Sequence, residues 1–170
     1  MAKIKRKQGR AGYAFVKELG GAPDRKNLSK TARTLLEQGR IRGRVLDYGC
    51  GLGFDAGQLG WDAFDPYYRP AVPVGPYAVI VCNHVVNILT RESRANLFAR
   101  IDALLADGGV AYFSTARNIP TTGKWGPRRR IQNYVVLDLP SIYVDDEEEI
   151  YAFAKGTKLV DRTREFEETL

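Results

Sequence analysis

The fold is decided by the stretch Val45-Leu46-Asp47-Tyr48-Gly49-Cys50-Gly51-Leu52-Gly53. A short apolar run is interrupted by one acid and leads into glycines at three alternate positions. This order predicts a buried strand that turns sharply into a helix. Glycines in such a turn let the backbone adopt positive φ and approach a ligand closely. The G-x-G-x-G spacing differs from the dinucleotide-binding G-x-G-x-x-G pattern, whose third glycine is replaced here by Phe54.

Length and composition predict one globular domain. A chain of 170 residues with 44% hydrophobic residues is long enough to bury a core. It has no apolar run of about 18 residues, as a membrane helix requires, and no apolar segment follows the basic start as in a secretory signal. We therefore expect a cytoplasmic protein without membrane contact. Cys50 and Cys82 are expected to be free thiols, and with one histidine they are too few for a zinc site.

The positive charge is concentrated near the N-terminus. Residues 1–44 contain 13 Lys/Arg and 3 Asp/Glu, whereas the whole chain contains 26 and 20. The remaining residues therefore hold 13 basic and 17 acidic side chains. This asymmetry suits contact with a polyanion such as nucleic acid, and it equally suits a solvated arm that only aids solubility.

Strand and helix patterns alternate along the chain. We divide it into a basic arm with helices (1–40), a core (41–155) and a charged tail (156–170). Ser29 is expected to cap a helix that stops at Gly39. The further predicted elements are strands 45–47, 60–65, 77–82 and 110–114, helices 54–59 and 91–105, and an antiparallel hairpin of strands 134–139 and 149–153. This order predicts a doubly wound α/β sheet, in which ligands bind at the carboxyl ends of the strands.

The acid followed by three alternate glycines resembles the first motif of the class I methyltransferases, which use S-adenosylmethionine. The resemblance covers residues 40–155 and implies a Rossmann-like sheet that ends in an antiparallel hairpin. Residues 66–76 leave little room for the usual helix and strand, so we expect the third strand to be reduced or absent.

The resemblance implies a set of cofactor-binding residues around the glycine turn. Asp47 would orient the amino acid end of the cofactor, and Asp65 would accept hydrogen bonds from the ribose hydroxyls. Asp65 can instead form an Asx turn before Pro66, and Asp62 is the alternative acid if the register differs. The predicted cofactor-binding residues are Asp47, Gly49, Cys50, Gly51, Gly53, Asp65, Pro66, Cys82 and Asn83. The product would be S-adenosylhomocysteine, and no metal is expected.

Other polar residues are candidates for catalysis and acceptor binding. His84, the single histidine, follows the strand that faces the methyl group in this family. It is either a general base or a hydrogen-bonding group for adenine or backbone. The predicted acceptor-binding residues are Lys30, Arg33, Arg117, Trp125 and Arg128. A tryptophan among basic residues can stack a base and contact phosphates, and such residues can also lie on an ordinary solvated surface.

A looser resemblance links the chain to methyltransferases associated with DNA phosphorothioation and to short phage and bacterial relatives. It is based on Lys30-Thr31-Ala32-Arg33, the glycine motif, Asp65-Pro66 and Val86-Asn87. The predicted function is methyl transfer from S-adenosylmethionine to a nucleic acid, RNA or DNA. The alternatives are a small-molecule methyltransferase and a non-catalytic, cofactor-binding accessory subunit. Without a separate recognition domain, a partner protein can supply specificity.

Overall fold

The structure is a computed structural model that describes residues 21–127 and 130–166. Its helices are α1 (Lys30–Glu37), α2 (Phe54–Leu59) and α3 (Arg91–Leu104), with a 3₁₀ turn at Val86–Ile88. Its strands are β1 (Val45–Tyr48), β2 (Asp62–Phe64), β3 (Tyr77–Asn83), β4 (Leu105–Ala116), β5 (Lys124–Gly126), β6 (Arg130–Gln132), β7 (Ser141–Val144) and β8 (Glu148–Ala154). Residues 1–20 of the predicted basic arm lie outside these ranges.

A six-stranded sheet organises the fold. Its strand order is β2-β1-β3-β4-β8-β7, and β5 and β6 form a separate two-stranded sheet. Strands β1 to β4 pair in parallel, whereas β8 runs antiparallel to both β4 and β7. β2 is an edge strand of this sheet, and within the described ranges no further strand pairs with its outer side. The predicted α/β sheet with a reduced or absent third strand and a closing hairpin is confirmed.

The sheet is buried on both faces, which explains its continuous apolar strands. In β3, Ile80 and Cys82 pack on one face with side chains of α3, while Val79 and Val81 pack on the other face with Leu35 of α1. Because β1 to β4 run parallel, their carboxyl ends lie at the same edge of the sheet. That edge holds the polar residues of the site.

The ends of α1 follow the sequence prediction. The Ser29 hydroxyl accepts a hydrogen bond of 3.0 Å from the Ala32 N–H and so caps the first turn. Gly39 follows the helix with φ +65°, a backbone conformation that ends helices and favours glycine.

The predicted hairpin is wrong in its first strand. The alternating apolar residues of 134–139 suggested a strand, but the strand that pairs with β8 is β7, which begins two residues after that segment ends. Val135 and Leu137 are buried because they pack over the sheet rather than within it. The backbone beside them pairs with the C-terminal tail: the Asp138 N–H donates to the Val160 carbonyl, and the Arg162 N–H donates to the Val136 carbonyl. The apolar alternation of 134–139 therefore predicted the burial of these side chains correctly, but the segment is not a strand of the six-stranded sheet.

A buried arginine holds this tail against α3. The Arg94 side chain is fully buried, its Nε lies 2.7 Å from an Asp161 carboxylate oxygen, and it also pairs with Glu165. A further guanidinium N–H donates to the Leu89 carbonyl at 2.7 Å. Burial raises the pKa of Asp161, but hydrogen bonds from Thr163 and Arg94 outweigh that effect and lower it overall. The pair is therefore ionised at neutral pH.

No helix within residues 21–127 and 130–166 is both long and apolar enough to cross a membrane.

We expect Arg94→Met to lower the free energy of unfolding by about 3 kcal/mol or more, because it leaves buried acceptors without their cation. Urea denaturation measures the change. The matched control is Arg162→Met, since Arg162 forms an exposed pair with Asp138 and is expected to contribute less than about 1 kcal/mol. Equal effects of the two substitutions would contradict the structural role of Arg94.

Candidate functional site

The glycine-rich loop after β1 has the backbone that its sequence requires. Gly49, Gly51 and Gly53 have φ values of +80°, +57° and +81°. A Cβ atom on Gly49 would lie 2.4 Å from a Val85 methyl carbon, and one on Gly51 would lie 2.4 Å from the Ala22 Cβ. Both the conformation and the close approach of neighbours therefore exclude other residues at these positions.

The end of β2 fixes this loop. The N–H groups of Gly49 and Cys50 donate to the Phe64 carbonyl at 2.7 and 3.0 Å. The Gly51 N–H donates to the Asp65 Oδ2 at 3.0 Å. The loop is thus held open as a concave surface between the ends of two adjacent strands.

Asp65 forms the Asx turn that the sequence offered as one of two alternatives. Its Oδ1 accepts from the N–H groups of Tyr67 and Tyr68 at 2.8 and 3.0 Å, which is an Asx turn. Its Oδ2 accepts from Gly51, and a carboxylate oxygen has a second lone-pair position. One acceptor position of Oδ2 therefore remains unused by the described residues.

Asp62, the alternative acid, lies away from the glycine-rich loop. Its carboxylate pairs with the Arg44 guanidinium at 2.7 Å and accepts from the Tyr77 hydroxyl at 3.0 Å. This cluster lies on the surface at the opposite end of β2 from Asp65. The structure therefore places Asp65, and not Asp62, beside the loop.

A group of charged residues lies beneath and beside the loop. Asp47 is 4% exposed, and burial first, then the nearby Asp55 carboxylate, raises its pKa to about 7. Arg25 opposes this shift and lies 3.3 Å from an Asp55 oxygen. The other Asp55 oxygen accepts from the Ser29 N–H at 2.9 Å, which ties the start of α1 to α2.

Asn83, at the end of β3, is the centre of a polar network. Its amide lies 2.8 Å from the hydroxyls of both Thr31 and Ser114. With the amide oriented as this network requires, its nitrogen donates to both hydroxyls and its oxygen accepts from Arg25 at 3.0 Å. The network joins α1, β3 and β4 at the edge of the sheet.

The two cysteines differ in position. Cys50 lies on the cavity wall, and burial raises the pKa of its thiol to about 12, so it is neutral. Cys82 is fully buried in the core, because its side chain points into the face packed against α3. Cys82 is not among the residues that line the cavity, and its predicted contact with the cofactor stays a prediction. In the described part of the chain, no three His, Cys, Asp or Glu side chains are grouped so that they could hold a metal ion.

His84 follows Asn83 and faces Glu148 from β8. The His84 Nε2 lies 3.0 Å from the Glu148 Oε2, and the two side chains are 35% and 3% exposed. His84 has φ +52°, and it is a non-glycine residue in the left-handed region. Such a conformation is uncommon and often marks a functional site.

One cavity of about 910 Å³ joins these groups. It extends from the glycine-rich loop past His84 to a wall formed by the residues after β3, by α3 and by β6. Its loop side is lined by Gly21, Ala22, Pro23, Arg25, Gly49, Cys50, Gly51, Gly53, Asp65, Pro66 and Tyr68. Its far side is lined by His84, Asn87, Ile88, Leu89, Leu97, Arg100, Asn118, Arg130 and Gln132.

The predicted acceptor-binding residues are dispersed by the fold. Lys30 lines the cavity, but its ammonium pairs with Asp145 and with Glu147, whereas Arg33 is exposed on α1 away from the cavity. Trp125 is 43% exposed and packs edge-on against Phe166, outside the cavity lining.

Arg117 has a structural role. Its side chain is 6% exposed, and it is bonded to Glu149, the Tyr151 hydroxyl and the Val135 carbonyl. This guanidinium is enclosed by its own partners and is not among the residues that line the cavity, and its predicted contact with the acceptor stays a prediction. Arg128 lies outside the described residues.

Sequence reasoning missed two residues of the site. Arg25 was assigned to a loop without a role, and no local pattern distinguishes it from other basic residues of the arm. Glu148 was hidden in the acidic run 145–149. A signal for it existed, since Glu148 and Ile150 alternate at strand spacing and both are buried.

The fold and this site define a class I methyltransferase. A family model described as "Methyltransferase domain" matches residues 22–149, so the chain belongs to that family. The protein is an S-adenosylmethionine-dependent methyltransferase. A search of curated proteins finds no match to the sequence.

Solved structures share the fold at low sequence identity. The complex of DhpI with S-adenosylhomocysteine is 15% identical with a TM-score of 0.54, covering 74% of this chain and 83% of that one. A 1,6-didemethyltoxoflavin N1-methyltransferase of Burkholderia thailandensis, with its acceptor and S-adenosylhomocysteine bound, is 14% identical with a TM-score of 0.52, covering 73% and 76%. A structure titled for thioacetal formation in echinomycin biosynthesis is 12% identical with a TM-score of 0.53, covering 74% and 82%.

We expect Gly51→Ala to weaken binding of S-adenosylhomocysteine by at least about tenfold, because left-handed backbone costs an L-residue about 1–2 kcal/mol. The added methyl would also displace Ala22. Calorimetric titration measures the affinity. Gly57→Ala in α2 is the matched control, since a Cβ there meets nothing within 4 Å. Equal affinities of the two variants would show that the loop does not shape the binding surface.

Asp47 gives a prediction for the pH dependence of stability. Its pKa is about 7 in the folded chain and 3.8 ordinarily, so the folded state holds the proton more tightly. The stabilisation of the folded state by protonated Asp47 is therefore fully present below about pH 4 and is lost as pH rises through about 7. We expect wild type to lose stability relative to Asp47→Asn over this range, measured by urea denaturation without cofactor. A difference that does not vary with pH would contradict the raised pKa.

Proposed function

We propose that the protein transfers the methyl group of S-adenosylmethionine to a small-molecule acceptor bound in the same cavity. The observation that carries this proposal is the continuity of the cavity from the glycine-rich loop to the wall beyond His84. Its volume of about 910 Å³ lies in the range of small-molecule sites, which is about 300–1,000 Å³. A cofactor on the loop leaves the far side for a second, smaller molecule.

The loop side supplies contacts for each part of the cofactor. The open backbone of Gly49, Gly51 and Gly53 would pack against it, and the remaining acceptor position of Asp65 would bind a ribose hydroxyl. Pro66 lies beside Asp65 on the wall that would contact adenine. Cys50 would contribute backbone and a neutral thiol.

The amino acid end of the cofactor would lie near the charged group below the loop. Arg25 carries a guanidinium that can pair with the cofactor carboxylate, and Asn83 fixes its position. The raised pKa of Asp47 reflects a buried acid whose charge is not fully compensated in the chain alone. A cationic ammonium group nearby would favour its ionised form.

The far side fits an acceptor with both apolar and polar parts. Ile88, Leu89 and Leu97 form an apolar wall. The Asn87 Oδ1 on this wall is buried and has no hydrogen-bond partner among the described residues. A donor group on the acceptor would satisfy it, which a purely apolar molecule would not.

Nucleic acid is the second candidate acceptor. Its support is the excess of 13 Lys/Arg over 3 Asp/Glu in residues 1–44. Of the described residues that had been predicted to contact a polynucleotide, Arg117 is enclosed, and Arg33 and Trp125 lie away from the cavity. Lys30 lines the cavity, but its ammonium is paired with Asp145 and Glu147. The small-molecule acceptor is therefore favoured.

The test is transfer of labelled methyl groups from S-adenosylmethionine to three separated pools: the low-molecular-mass fraction of a bacterial extract, total RNA and DNA. We expect label in the first pool only. Deleting residues 1–10 should leave this transfer unchanged. Label in RNA or DNA that depends on those residues would overturn the proposal in favour of nucleic acid. Binding of S-adenosylhomocysteine without transfer to any pool would favour an accessory subunit.

A further inference from the structure

We infer that His84 is the general base for an acceptor that must lose a proton, and that buried Glu148 is the residue that positions it. This inference rests on the proposed transfer reaction and names its acceptor class: a molecule methylated at a hydroxyl or at an N–H group. It assigns a role to Glu148, which lies 64 residues after His84 in the sequence.

The two side chains form a dyad across the sheet. The His84 Nε2 and the Glu148 Oε2 are 3.0 Å apart, within hydrogen-bond distance. Both residues are part of the cavity lining, but Glu148 is 3% exposed whereas His84 is 35% exposed. The carboxylate therefore contacts the imidazole from the protein side and leaves the other ring nitrogen for a ligand.

Glu148 is held in place by its surroundings. The Thr31 hydroxyl donates to the Glu148 Oε2 at 3.3 Å, and this hydroxyl is itself bonded to the Asn83 amide. The Glu148 N–H donates to Asp145 at 2.9 Å, and Lys30 binds the turn through Asp145 and Glu147. The carboxylate thus has a fixed position between α1 and β3.

The carboxylate also has bonding capacity that the chain leaves unused. The Glu148 Oε1 is buried and has no hydrogen-bond partner among the described residues. A buried carboxylate with few donors interacts strongly with a cation that forms beside it. The imidazolium that His84 becomes on taking a proton is that cation.

The backbone of His84 is fixed in the same way. Its φ of +52° places it in the left-handed region, and its N–H donates to the Ser114 carbonyl and hydroxyl at 3.2 and 3.1 Å. Left-handed backbone at a residue other than glycine persists where the surroundings impose it, and it is concentrated at functional sites. Here it turns the imidazole out of the strand direction towards both the cavity and Glu148.

The reaction step follows from this geometry. A lone pair of the acceptor oxygen or nitrogen attacks the methyl carbon, and the bond from that carbon to sulfur breaks. The bonding electron pair stays on sulfur, which gives S-adenosylhomocysteine. The acceptor proton moves to His84 Nδ1, while Nε2–H remains bonded to Glu148, and the imidazolium later releases a proton to water. An acceptor that is already ionised would not require this step.

The tautomer of His84 tests the dyad directly, because His84 is the only histidine of the chain. In protein labelled with ¹⁵N-histidine, at a pH where imidazole is neutral, we expect the proton on Nε2 and none on Nδ1. Glu148→Gln should redistribute the tautomers, and the exposed control Asp138→Asn should not. A proton on Nδ1 in wild type, or no change in Glu148→Gln, would overturn the inference.

The effect on transfer tests the catalytic role. His84→Asn retains a residue that tolerates left-handed backbone and removes the base. We expect it to lower the maximal rate about 100-fold, within the usual range for general bases, and to leave the affinity for S-adenosylhomocysteine unchanged. Glu148→Gln should lower the maximal rate about tenfold, and Asp138→Asn should not lower it.

Wild-type turnover by His84→Asn, with S-adenosylhomocysteine bound normally, would overturn the inference and leave the proposed transfer intact. If wild-type protein methylates no pool, the proposed function fails instead, and the tautomer spectra still decide whether Glu148 orients His84.

Discussion

The structure depends on hydrogen bonds that join the glycine-rich loop to the end of β2. The Phe64 carbonyl accepts from Gly49 and Cys50, and the Asp65 carboxylate accepts from Gly51. These bonds hold three left-handed glycines in an open turn. The turn ends at Gly53, where α2 begins, and its glycines line one side of the cavity. Since β1 and β2 are adjacent parallel strands, the same bonds bring the glycine-rich loop after β1 beside Asp65 after β2.

The rest of the site is assembled by side chains that each come from a different element. Asn83 on β3 contacts Thr31 on α1 and Ser114 on β4, and Thr31 contacts Glu148 on β8. Such a network is stable only when its buried polar groups find partners. The exceptions are informative: the Glu148 Oε1 lacks a partner among described residues, and Asp47 has a raised pKa. In the proposed reaction, the cofactor ammonium would supply charge near Asp47, and the imidazolium of His84 would supply it beside Glu148.

The sequence predicted the mixed sheet, the glycine loop and the missing strand beyond β2, because each depends on local spacing. For Asp65 it left an Asx turn and a ribose contact as alternatives, and the structure shows the Asx turn together with one acceptor position that no described residue occupies. The remaining features depend on tertiary packing, which local spacing does not show. Val135 and Leu137 alternate like a strand but pack over the sheet, Cys82 faces the core, and Arg117 is enclosed by Glu149 and two tyrosines. Glu148 was missed because a run of acids conceals which member is buried.

The most direct test of the proposed cofactor and acceptor positions is a crystal structure of the chain with S-adenosylhomocysteine. We predict that the ribose contacts Asp65, that the amino acid end lies by Arg25 along the glycine-rich loop, and that the sulfur faces the part of the cavity that His84 lines. Cofactor bound elsewhere, or bound with its sulfur turned away from His84, would contradict the assignment of cofactor and acceptor sides on which the account rests.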